Sequence, residues 1–502
     1  MNPYLDSRYC NVKCTLQVID LTAREDAVPS APSSAQVSQI WQTVDEMKKA
    51  SLKMATLEFN HWILDGSMQM LNNLEDIQTG WWSEAISGED GTIDTYIEFA
   101  FSEPHSSYGL SLFFDEKAKI FPTMFTITAF DSAGSVIAET AVENSDVSCI
   151  VIAPMEKYQR IRIAFTKTNV PNRRIRITEV VFGILEEFDQ ENTKELMVTR
   201  EVDFSSDSVP IGEIDLTFDN SNQRYNMVSP DGVYKFLKTG MPLRVEIGTG
   251  PAKDQIEYEM VGDYYYVSSE SEDGALTAKI TAQDILMYME RMDYPVPPGS
   301  TTTIEVIAEQ IQSVVERKII FNIEEELKTV TLANMEADAE IKCRAVLQQA
   351  CQALCAVCFT DKRGRVVIKR VADGAPVDVL TLDKMKEVPK ITTRERINNM
   401  TVENGGVIGT YQDKEDDEVL QAEKKSNSLL TAAAANDVAK WLLENTRRLQ
   451  YDIDGRGNPM HELTDTITVS DAFGTRRNVK ICKHVLKFDG TLEEEIQAQA
   501  VE

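Results

Sequence analysis

Alternating apolar and polar residues dominate the chain between residues 54 and 190. The stretches "TYIEFAF", "MFTITAFD" and "RIRIAFTK" change polarity at nearly every position, and Gly, Pro and Asp residues separate them. This period of two is typical of half-buried strands, and no long helical pattern interrupts it. The segment predicts a β-sandwich in which "RIRIAFT" and "RIRITEVV" direct Ile inward and Arg outward.

The first 53 residues carry a weaker pattern. Residues 3–22 alternate like a strand, whereas residues 24–36 are rich in Pro, Ser and Ala. Residues 37–53 have weak helical spacing. We therefore expect an N-terminal strand, a linker and a helix over residues 1–53.

A second β-rich block covers residues 191–295. Its stretches "EIDLTF", "PLRVEIG" and "LTAKITAQ" predict strands that are separated by tight turns. The polar run 219–222 ends one strand, because Asn and Asp tolerate left-handed backbone and bond to their own main chain. Its polarity alone does not indicate a ligand site, and we expect a first β-barrel here.

The period becomes helical after the proline-rich stretch 294–303. "TTIEVIAEQIQSVVER" and "DAEIKCRAVLQQACQALCAVC" have apolar residues at helical spacing, with N-cap candidates in front of them. These candidates are Thr301, Thr302, Thr303 and Asp338. The second helix leads into "CFTDKRGRVVIKRV", where a turn at 361–364 joins two strands, so residues 296–376 predict an α+β domain.

Strand patterns return over residues 377–502, for example in "DTITVSDAF" and "RRNVKICKHVLKF". An acidic tract and an amphipathic stretch that starts near Ser428 predict a helical insertion at about 412–450 within a second β-barrel. The whole chain is thus expected to be mainly β and multidomain. We expect the two barrels to be separate closed sheets that lie side by side around a central hole.

Composition excludes several classes of function. The 502 residues include 51 basic and 81 acidic side chains, and the formal charge of −30 argues against holding DNA or anionic lipid through counterion release. No apolar run approaches the ~20 residues that span a bilayer. The start of the chain also lacks the layout of a secretory signal, so we expect synthesis in a cytosol and no membrane insertion.

Eight cysteines are ordinary usage for a reducing compartment. Cys343, Cys351, Cys355 and Cys358 also have spacings that occur in zinc sites. Together with Leu347 they would fall on one stripe of a helix, which favours small apolar thiols that line a buried face. A zinc assay distinguishes the two interpretations, and we expect neither a metal nor a cofactor.

Histidine is scarce, with four residues, and the chain has no H-E-x-x-H, G-x-S-x-G, P-loop or G-x-G-x-x-G motif that precedes a helix. His105 lies in "SEPHSSYG", which predicts a turn between strands. His461 lies beside Glu462 and Asp465 at the foot of a strand. Both are expected to be surface polar residues, and we predict no catalytic residues.

Carboxylate and imidazole side chains lie close together in "MATLEFNHWILDGS", residues 54–67, at a density that hydrolytic active sites use. On a helix, four of its residues would share one face. These are Glu58, His61, Trp62 and Asp65. A turn signal follows directly, so we expect an extended segment that pins a linker onto the sandwich.

Two sets of segments resemble known proteins. "ATLEFNHWILDGSM", "GWWSEAISGEDG" and "ITEVVFGI" resemble the N-terminal part of tail proteins from phages and prophages of Gram-positive bacteria. Four further segments resemble successive parts of the phage tail hub (baseplate hub) family: "REVDFSSDSVPIGEIDLTFDNSNQRYN", "ITAQDIL", "AVLQQACQALCAVCFTDKRGRVVIKR" and "LTDTITVSDAFGTRRNVKICKHVLKFDG". Residues 54–190 are similar to galactose-binding or discoidin-like jelly rolls.

The hub resemblance implies a structural role in a virion. Hub proteins form a ring of three chains, and each chain contributes two barrels, so that six barrels meet a hexameric tail tube. It implies a homotrimer at the distal end of the tail, in a baseplate or tail tip that is assembled in the host cytoplasm. Expected partners are the tail tube or a distal tail protein, the tape measure protein, and tip, spike or receptor-binding proteins. A negatively charged bore would let DNA pass without specific binding.

Trp81 and Trp82 are the candidate carbohydrate-binding residues. Jelly rolls of this kind often bind sugars through aromatic side chains on loops, because flat rings stack on pyranose faces. In the alternative, one Trp fills the sandwich core while the other packs on an adjoining domain. A carbohydrate-binding tail protein that recognises a glycan on the host cell surface is therefore the second hypothesis for function.

An enzyme, such as a tail lysin that cuts peptidoglycan, is the third class. In relatives that carry a lytic domain, this domain follows the hub. Here "LKFDGTLEEEIQAQAVE" ends the sequence together with the last predicted barrel. We therefore expect no enzyme activity.

Overall fold

The computed structural model describes residues 8–35, 38–44, 58, 80–116, 118–229, 232–315, 317–336, 340–393, 397–413 and 421–501. Strands hold 49% of the residues and helices 13%, which confirms a mainly β, multidomain chain. The chain divides into two compact units. The larger unit comprises Met1–Thr15, Glu187–Asn226 and Lys238–Glu502, and the sandwich unit comprises Leu16–Glu186 and Met227–Leu237. None of the described helices is long and apolar enough to cross a membrane.

The elements follow one another in three stretches. The first holds β1 (Tyr9–Ile19), α1 (Leu21–Asp26), β2 (Val28–Ser30), β3 (Trp81–Trp82), β4 (Thr92–Phe114), β5 (Pro122–Phe130), β6 (Val136–Glu143), β7 (Ser148–Thr168), β8 (Arg176–Val181) and β9 (Gly183–Phe188). The second holds β10 (Thr193–Glu201), β11 (Glu213–Asp219), β12 (Pro242–Gly250), β13 (Glu257–Glu270), β14 (Thr277–Gln283), α2 (Leu286–Arg291), β15 (Thr301–Thr302), α3 (Ile304–Val314), β16 (Phe321–Ile323), α4 (Glu325–Lys328), β17 (Leu332–Ala333), α5 (Cys343–Ala353), β18 (Val357–Thr360) and β19 (Val366–Lys369). The third holds β20 (Asp378–Leu380), β21 (Lys390–Thr392), β22 (Asn399–Asn404), β23 (Val407–Gln412), β24 (Ala422–Ser426), α6 (Ala435–Arg447), β25 (Gln450–Arg456), β26 (Thr466–Ser470), β27 (Arg476–Phe488) and β28 (Leu492–Ala500). Short 3₁₀ helices cover Ile40–Thr43 and Val233–Phe236.

The sandwich unit is built on one seven-stranded sheet in the order β3-β8-β4-β7-β5-β6, with β2 paired to β4. Register shifts after Ala100 interrupt the pairing of β4 with β7, and such bulges bend strands. Ile97 from the first half of β4 and Leu110 from its second half share one buried core cluster. The sheet therefore folds over a single core, and Ile161 and Ile163 point into it as predicted.

The predicted linker at 24–36 contains regular structure instead. Asp20 caps α1, because its side chain accepts hydrogen bonds from the backbone N–H groups of Thr22 and Ala23. β2 then pairs with β4, with Val28 opposite Ala100. Polar and proline-rich composition here reflects an edge strand, where Pro is tolerated, and the linker prediction was wrong for residues 24–30. Of the predicted helix at 37–53, the described part is the 3₁₀ helix Ile40–Thr43.

The larger unit is built on one large sheet. Within this unit the strand order is β21-β25-β28-β27-β10-β11-β14-β13-β12, with β20 and β26 attached beside β27. We call β10–β14 the first β half, and β20, β21 and β25–β28 the second β half. Leu196 to Glu201 of β10 pair antiparallel with Phe488 to Lys483 of β27, which joins the halves. The expectation of two separate closed sheets was therefore wrong in this respect, because β10 hydrogen-bonds on both of its edges.

An α+β segment lies between the two halves along the chain. Thr303 caps α3 through a hydrogen bond from the Val306 N–H, as predicted for this group of threonines. The predicted cap Asp338 lies outside the described residues, and α5 begins at Cys343 after Lys342. The turn at 361–364 joins β18 and β19, as predicted, in a three-stranded sheet with β16.

The insertion in the second half is larger than the predicted helix. β22 and β23, which we expected to be barrel strands, form a separate three-stranded sheet with β24 in the order β23-β22-β24. α6 packs on this sheet, and Met400 and Val402 share a buried cluster with Leu442. Because these apolar faces bury one another, the insertion has its own core.

Candidate functional site

Two histidines and two carboxylates converge inside the second β half. We call Asp378, Asn458, His461, His484 and Glu494 the histidine–carboxylate cluster. Glu494 Oε2 lies 3.1 Å from His461 Nδ1 and 2.9 Å from His484 Nε2. The opposite ring nitrogen of His461, Nε2, lies 3.1 Å from Asp378 Oδ2. The Asn458 backbone N–H donates to Glu494 Oε2 at 3.1 Å.

Burial sets the electrostatics of this cluster. His461, His484 and Glu494 are each at most 2% exposed, so none of them offers surface to a substrate. Burial lowers the pKa of His461, but the carboxylates of Glu494 and Asp378 outweigh it and raise this pKa to about 9. Burial likewise lowers the pKa of His484. Burial opposes ionisation of Glu494, yet the two imidazoles lower its pKa to about 2.

The sequence did not predict this cluster, because the residues around His461 favoured a surface position. The proximity of His484 and Glu494 could have been predicted from "HVLKFDGTLEEE". The Asp489–Gly490 turn sets a hairpin register in which Leu486 lies opposite Glu494. His484 lies two residues from Leu486 and so faces the same side as Glu494. His461 and Asp378 come from distant segments, and no local pattern connects them to this hairpin.

A second group of polar residues, the polar junction, comprises Arg200, Asp284, Asp361 and Glu462. Arg200 forms an ion pair with Glu462 and donates to the Thr360 carbonyl oxygen at 3.3 Å. Asp361 Oδ1 accepts from the Arg365 N–H at 2.9 Å, which fixes the β18–β19 turn. Arg200, Asp284 and Asp361 line one small cavity of the larger unit together with Gly212, Thr360 and Leu463.

Asp284 is the most strongly perturbed carboxyl group of this junction. Its oxygens accept hydrogen bonds from the N–H groups of Gly212 at 2.8 Å and Leu286 at 3.0 Å. Burial nevertheless dominates and raises the pKa of Asp284 to about 6. Burial thus makes ionisation of Asp284 less favourable than ionisation of an exposed aspartate.

An ionic cluster lies inside the sandwich unit. Arg176 Nη2 contacts Glu58 Oε2 at 2.7 Å, and its Nη1 contacts Asp115 Oδ2 at 2.6 Å. The Arg174 N–H donates to Glu58 Oε1 at 2.9 Å. The prediction that the arginines of "RIRITEVV" point outward was wrong for Arg174 and Arg176, because buried carboxylates and carbonyl groups compensate them.

The contacts of this cluster show the role of Glu58. Glu58 is the one residue of "MATLEFNHWILDGS" that the structure describes. Its carboxylate is buried and binds two arginine residues, so it is structural. His61, Trp62 and Asp65 lie outside the described residues.

The two candidate sugar-binding tryptophans differ in how much of each ring is exposed to solvent. Trp81 is fully buried in the sandwich core, and its Nε1 donates to Ser34 Oγ at 3.1 Å. A buried ring cannot stack on a sugar, so Trp81 follows the alternative of a core residue. Trp82 is half-buried, and the Arg176 guanidinium lies 3.8 Å from its ring centroid. Trp82 therefore stays a candidate.

His105 was expected in a surface turn, but it lies inside β4 and is buried. Its Nε2 lies 3.0 Å from Asp26 Oδ2, and its Nδ1 lies 3.4 Å from Asp20 Oδ2. The pairing of β4 with β7 shifts register on both sides of His105. Pro104 and the polar residues around it therefore mark a bulge in a long strand rather than a turn.

The predicted helical stripe of cysteines ends early. α5 stops at Ala353, and Cys355 takes left-handed backbone with φ of 52°. Cys358 lies in β18 and not on the helix. Cys343, Cys351 and Cys358 are nevertheless buried in one core cluster, as the interpretation of apolar thiols required.

Similarity of this chain to known proteins is confined to solved structures. No protein-family model matches it, and no curated protein matches it. Its fold is similar to a tail protein of Neisseria meningitidis, at 13% identity over 62% of this chain and 93% of that chain, with a TM-score of 0.48. It is similar to a prophage tail protein of Shewanella oneidensis, at 16% identity over 62% and 94%, with a TM-score of 0.43. It is also similar to a family 32 carbohydrate-binding module of C. perfringens in complex with galactose, at 12% identity over 34% and 99%, with a TM-score of 0.22.

Replacing Glu58 tests the ionic cluster of the sandwich unit. We expect Glu58→Gln to lower the free energy of unfolding of this unit by about 3 kcal/mol, because it leaves Arg176 buried with one carboxylate fewer. Calorimetry and hydrogen exchange of β8 in the full chain measure the effect. Glu103→Gln, an exposed change in the same unit, is the control. Equal stability of the two variants would contradict a structural role for Glu58.

Replacing Asp284 tests the polar junction. Because its folded pKa of about 6 exceeds the usual value near 4, its contribution to stability is full below about pH 4 and is lost as the pH rises through about 6. Two pKa units correspond to about 3 kcal/mol. We expect Asp284→Asn to remove this part of the pH dependence in unfolding experiments between pH 4 and 7. The exposed change Asp254→Asn should keep it, and an unchanged profile in Asp284→Asn would contradict the assignment.

Proposed function

We propose that this chain is a structural component of a bacteriophage tail or tail-like particle. In this proposal, three copies form the hub ring at the distal end of the tail tube. The ring connects the tube to baseplate or tip proteins. Its partners are the tail tube or a distal tail protein, the tape measure protein, and spike or receptor-binding proteins.

One observation carries the proposal. The four segments that resemble the tail hub family are residues 200–226, 280–286, 345–370 and 463–490. Each of them supplies at least one residue to the same small cavity of the larger unit. Arg200, Asp284, Asp361 and Leu463 are one example from each segment. The four segments are far apart in the sequence, yet they meet in one place. Segments of a single family fold are expected to meet in this way.

The continuous sheet supports a ring-forming role. Because β10 pairs with β27, the two β halves of a chain are held in one register by backbone hydrogen bonds. A ring of three such chains would present six β halves to a sixfold partner. A rigid connection within each chain favours this match, since the spacing of the halves is then set before assembly.

Charge supports the same role. The formal charge of −30 would repel DNA from most surfaces of the ring. Passage of DNA through the bore without specific binding follows from this repulsion. Burial within the histidine–carboxylate cluster also favours a structural role over catalysis, because His461, His484 and Glu494 are almost inaccessible to solvent.

Oligomeric state and position in the particle test this proposal. We expect sedimentation of the pure full-length chain to give particles of three chains, because the ring is closed and symmetric. Antibodies against the chain should label one end of tails that are released from cells encoding it. Chemical cross-linking within these tails should join copies of the chain to one another.

Two results would contradict it. Label along the whole tail, or none on tails, would exclude a distal hub. A chain that stays monomeric in solution and forms no cross-links to other copies within tails would exclude the ring while leaving a monomeric tail role.

As a second candidate, we propose that the sandwich unit binds a cell-surface carbohydrate through Trp82. The supporting observation is that this half-buried ring is held in place by the Arg176 guanidinium at 3.8 Å. A ring that is fixed in this way loses little conformational freedom when a sugar stacks on it.

Trp82→Ala should weaken binding of the full chain to host cell-wall fragments about tenfold, which corresponds to about 1.4 kcal/mol of lost stacking. Titration calorimetry measures the affinity. Trp41→Ala, which removes another partly exposed tryptophan of the same unit, should bind like the wild type. Equal affinities of the wild type and Trp82→Ala would remove Trp82 from the binding site.

A further inference from the structure

The histidine–carboxylate cluster has the geometry of a metal site. His461, His484 and Glu494 each offer one ligand atom, and these three atoms all lie within 4.8 Å of one another. Two imidazole nitrogens and a carboxylate oxygen are a ligand set that proteins use for zinc and related divalent ions. Among the described residues, this is the group in which three such ligand atoms meet.

The distances fit an ion after a small adjustment. Zinc binds imidazole nitrogen and carboxylate oxygen at about 2.1 Å, so two ligands of a tetrahedral site are about 3.4 Å apart. Glu494 Oε2 is 3.1 Å from His461 Nδ1 and 2.9 Å from His484 Nε2. Each of these two pairs must open by a few tenths of an ångström to reach that separation.

The neighbour of His461 also fits. A histidine that binds a metal usually donates its other ring N–H to a carboxylate, which fixes the ring and its tautomer. His461 has this arrangement, because its Nε2 lies 3.1 Å from Asp378 Oδ2 while its Nδ1 faces Glu494. Asp378 would thus act as a positioning residue for His461.

Glu494 provides an independent observation. Its Oε1 is a buried oxygen with no hydrogen-bond partner among the described residues. A buried carboxylate oxygen without a partner is costly, since it loses its hydration. A cation at Oε2 would compensate the charge of the whole carboxylate, and Oε1 would be available to bind the same ion.

The elements that carry the ligands show what an ion would stabilise. His484 and Glu494 lie on the paired strands β27 and β28, whereas His461 lies on the segment 457–465 before β26. An ion bound by all three would tie this segment to the hairpin. Because the ligands are buried, the ion would enter as the second β half folds.

We propose that His461, His484 and Glu494 form a buried structural site for a divalent transition metal ion of the zinc type, with Asp378 positioning His461. This metal site is separate from the proposed role of the chain in a tail. Binding of the ion would not require assembly, because all three ligands come from one chain. A proton held between His461 and the two carboxylates is the alternative occupant, and the experiment below separates the two.

The test measures bound zinc in the full chain, expressed without a metal-binding tag. Protein unfolded in chelator and refolded with zinc, then freed of excess ion, should hold about one zinc ion per chain by mass spectrometry of the element. His484→Gln should lose this zinc. His105→Gln, which changes a buried histidine of the sandwich unit, should retain it.

A spectroscopic measurement on the wild type covers the case in which a ligand variant does not fold. Refolding with cobalt(II) should give the visible absorption of a four-coordinate nitrogen and oxygen site, and zinc should abolish it. Asp378→Asn should bind zinc at least tenfold more weakly while it remains folded, because the second hydrogen bond of His461 is altered. A folded wild type that holds no zinc and shows no such cobalt spectrum overturns the proposal and leaves the proton as occupant.

Discussion

The pairing of β10 with β27 is the constraint on which the larger unit depends. Six consecutive residues of β10, from Leu196 to Glu201, are in register with β27, while the other edge of β10 is in register with β11. A strand that is bonded on both edges cannot slide by one residue without turning its buried side chains outward. Leu196 and Val198 are buried, so the register is fixed by packing as well as by hydrogen bonds.

Both units enclose charged groups, and in both the charges are compensated locally. In the sandwich unit, Arg176 lies between Glu58 and Asp115. In the larger unit, His461 lies between Glu494 and Asp378. Such networks add little net stability compared with apolar residues, but they disfavour every arrangement that leaves one charge alone.

Local patterns in the sequence predicted most of the elements. The alternation of "RIRIAFT" gave the correct inward face, and Thr303 gave the correct helix start, because each depends on neighbours within a few residues. Failures came where distant groups decide the outcome. Arg174 and Arg176 are buried because carboxylates from elsewhere in the chain meet them, and β22 left the main sheet because α6 covers it. The histidine–carboxylate cluster has one part that local sequence predicts and one part that it does not. The register of the β27–β28 hairpin places His484 near Glu494, whereas no local pattern brings His461 to these two residues.

The larger unit is formed by segments that are far apart in the sequence, and this delays its folding during synthesis. All residues of the sandwich unit lie before residue 238, whereas Leu196 of the larger unit pairs with Phe488. A ribosome that adds ~5–20 residues per second delays this pairing by roughly 15–60 s. During this interval, one edge of the nascent strand is unpaired and accessible to other chains. Chaperone occupancy of the emerging polypeptide is therefore expected to concentrate downstream of codon 201 and to end when the last hairpin leaves the exit tunnel.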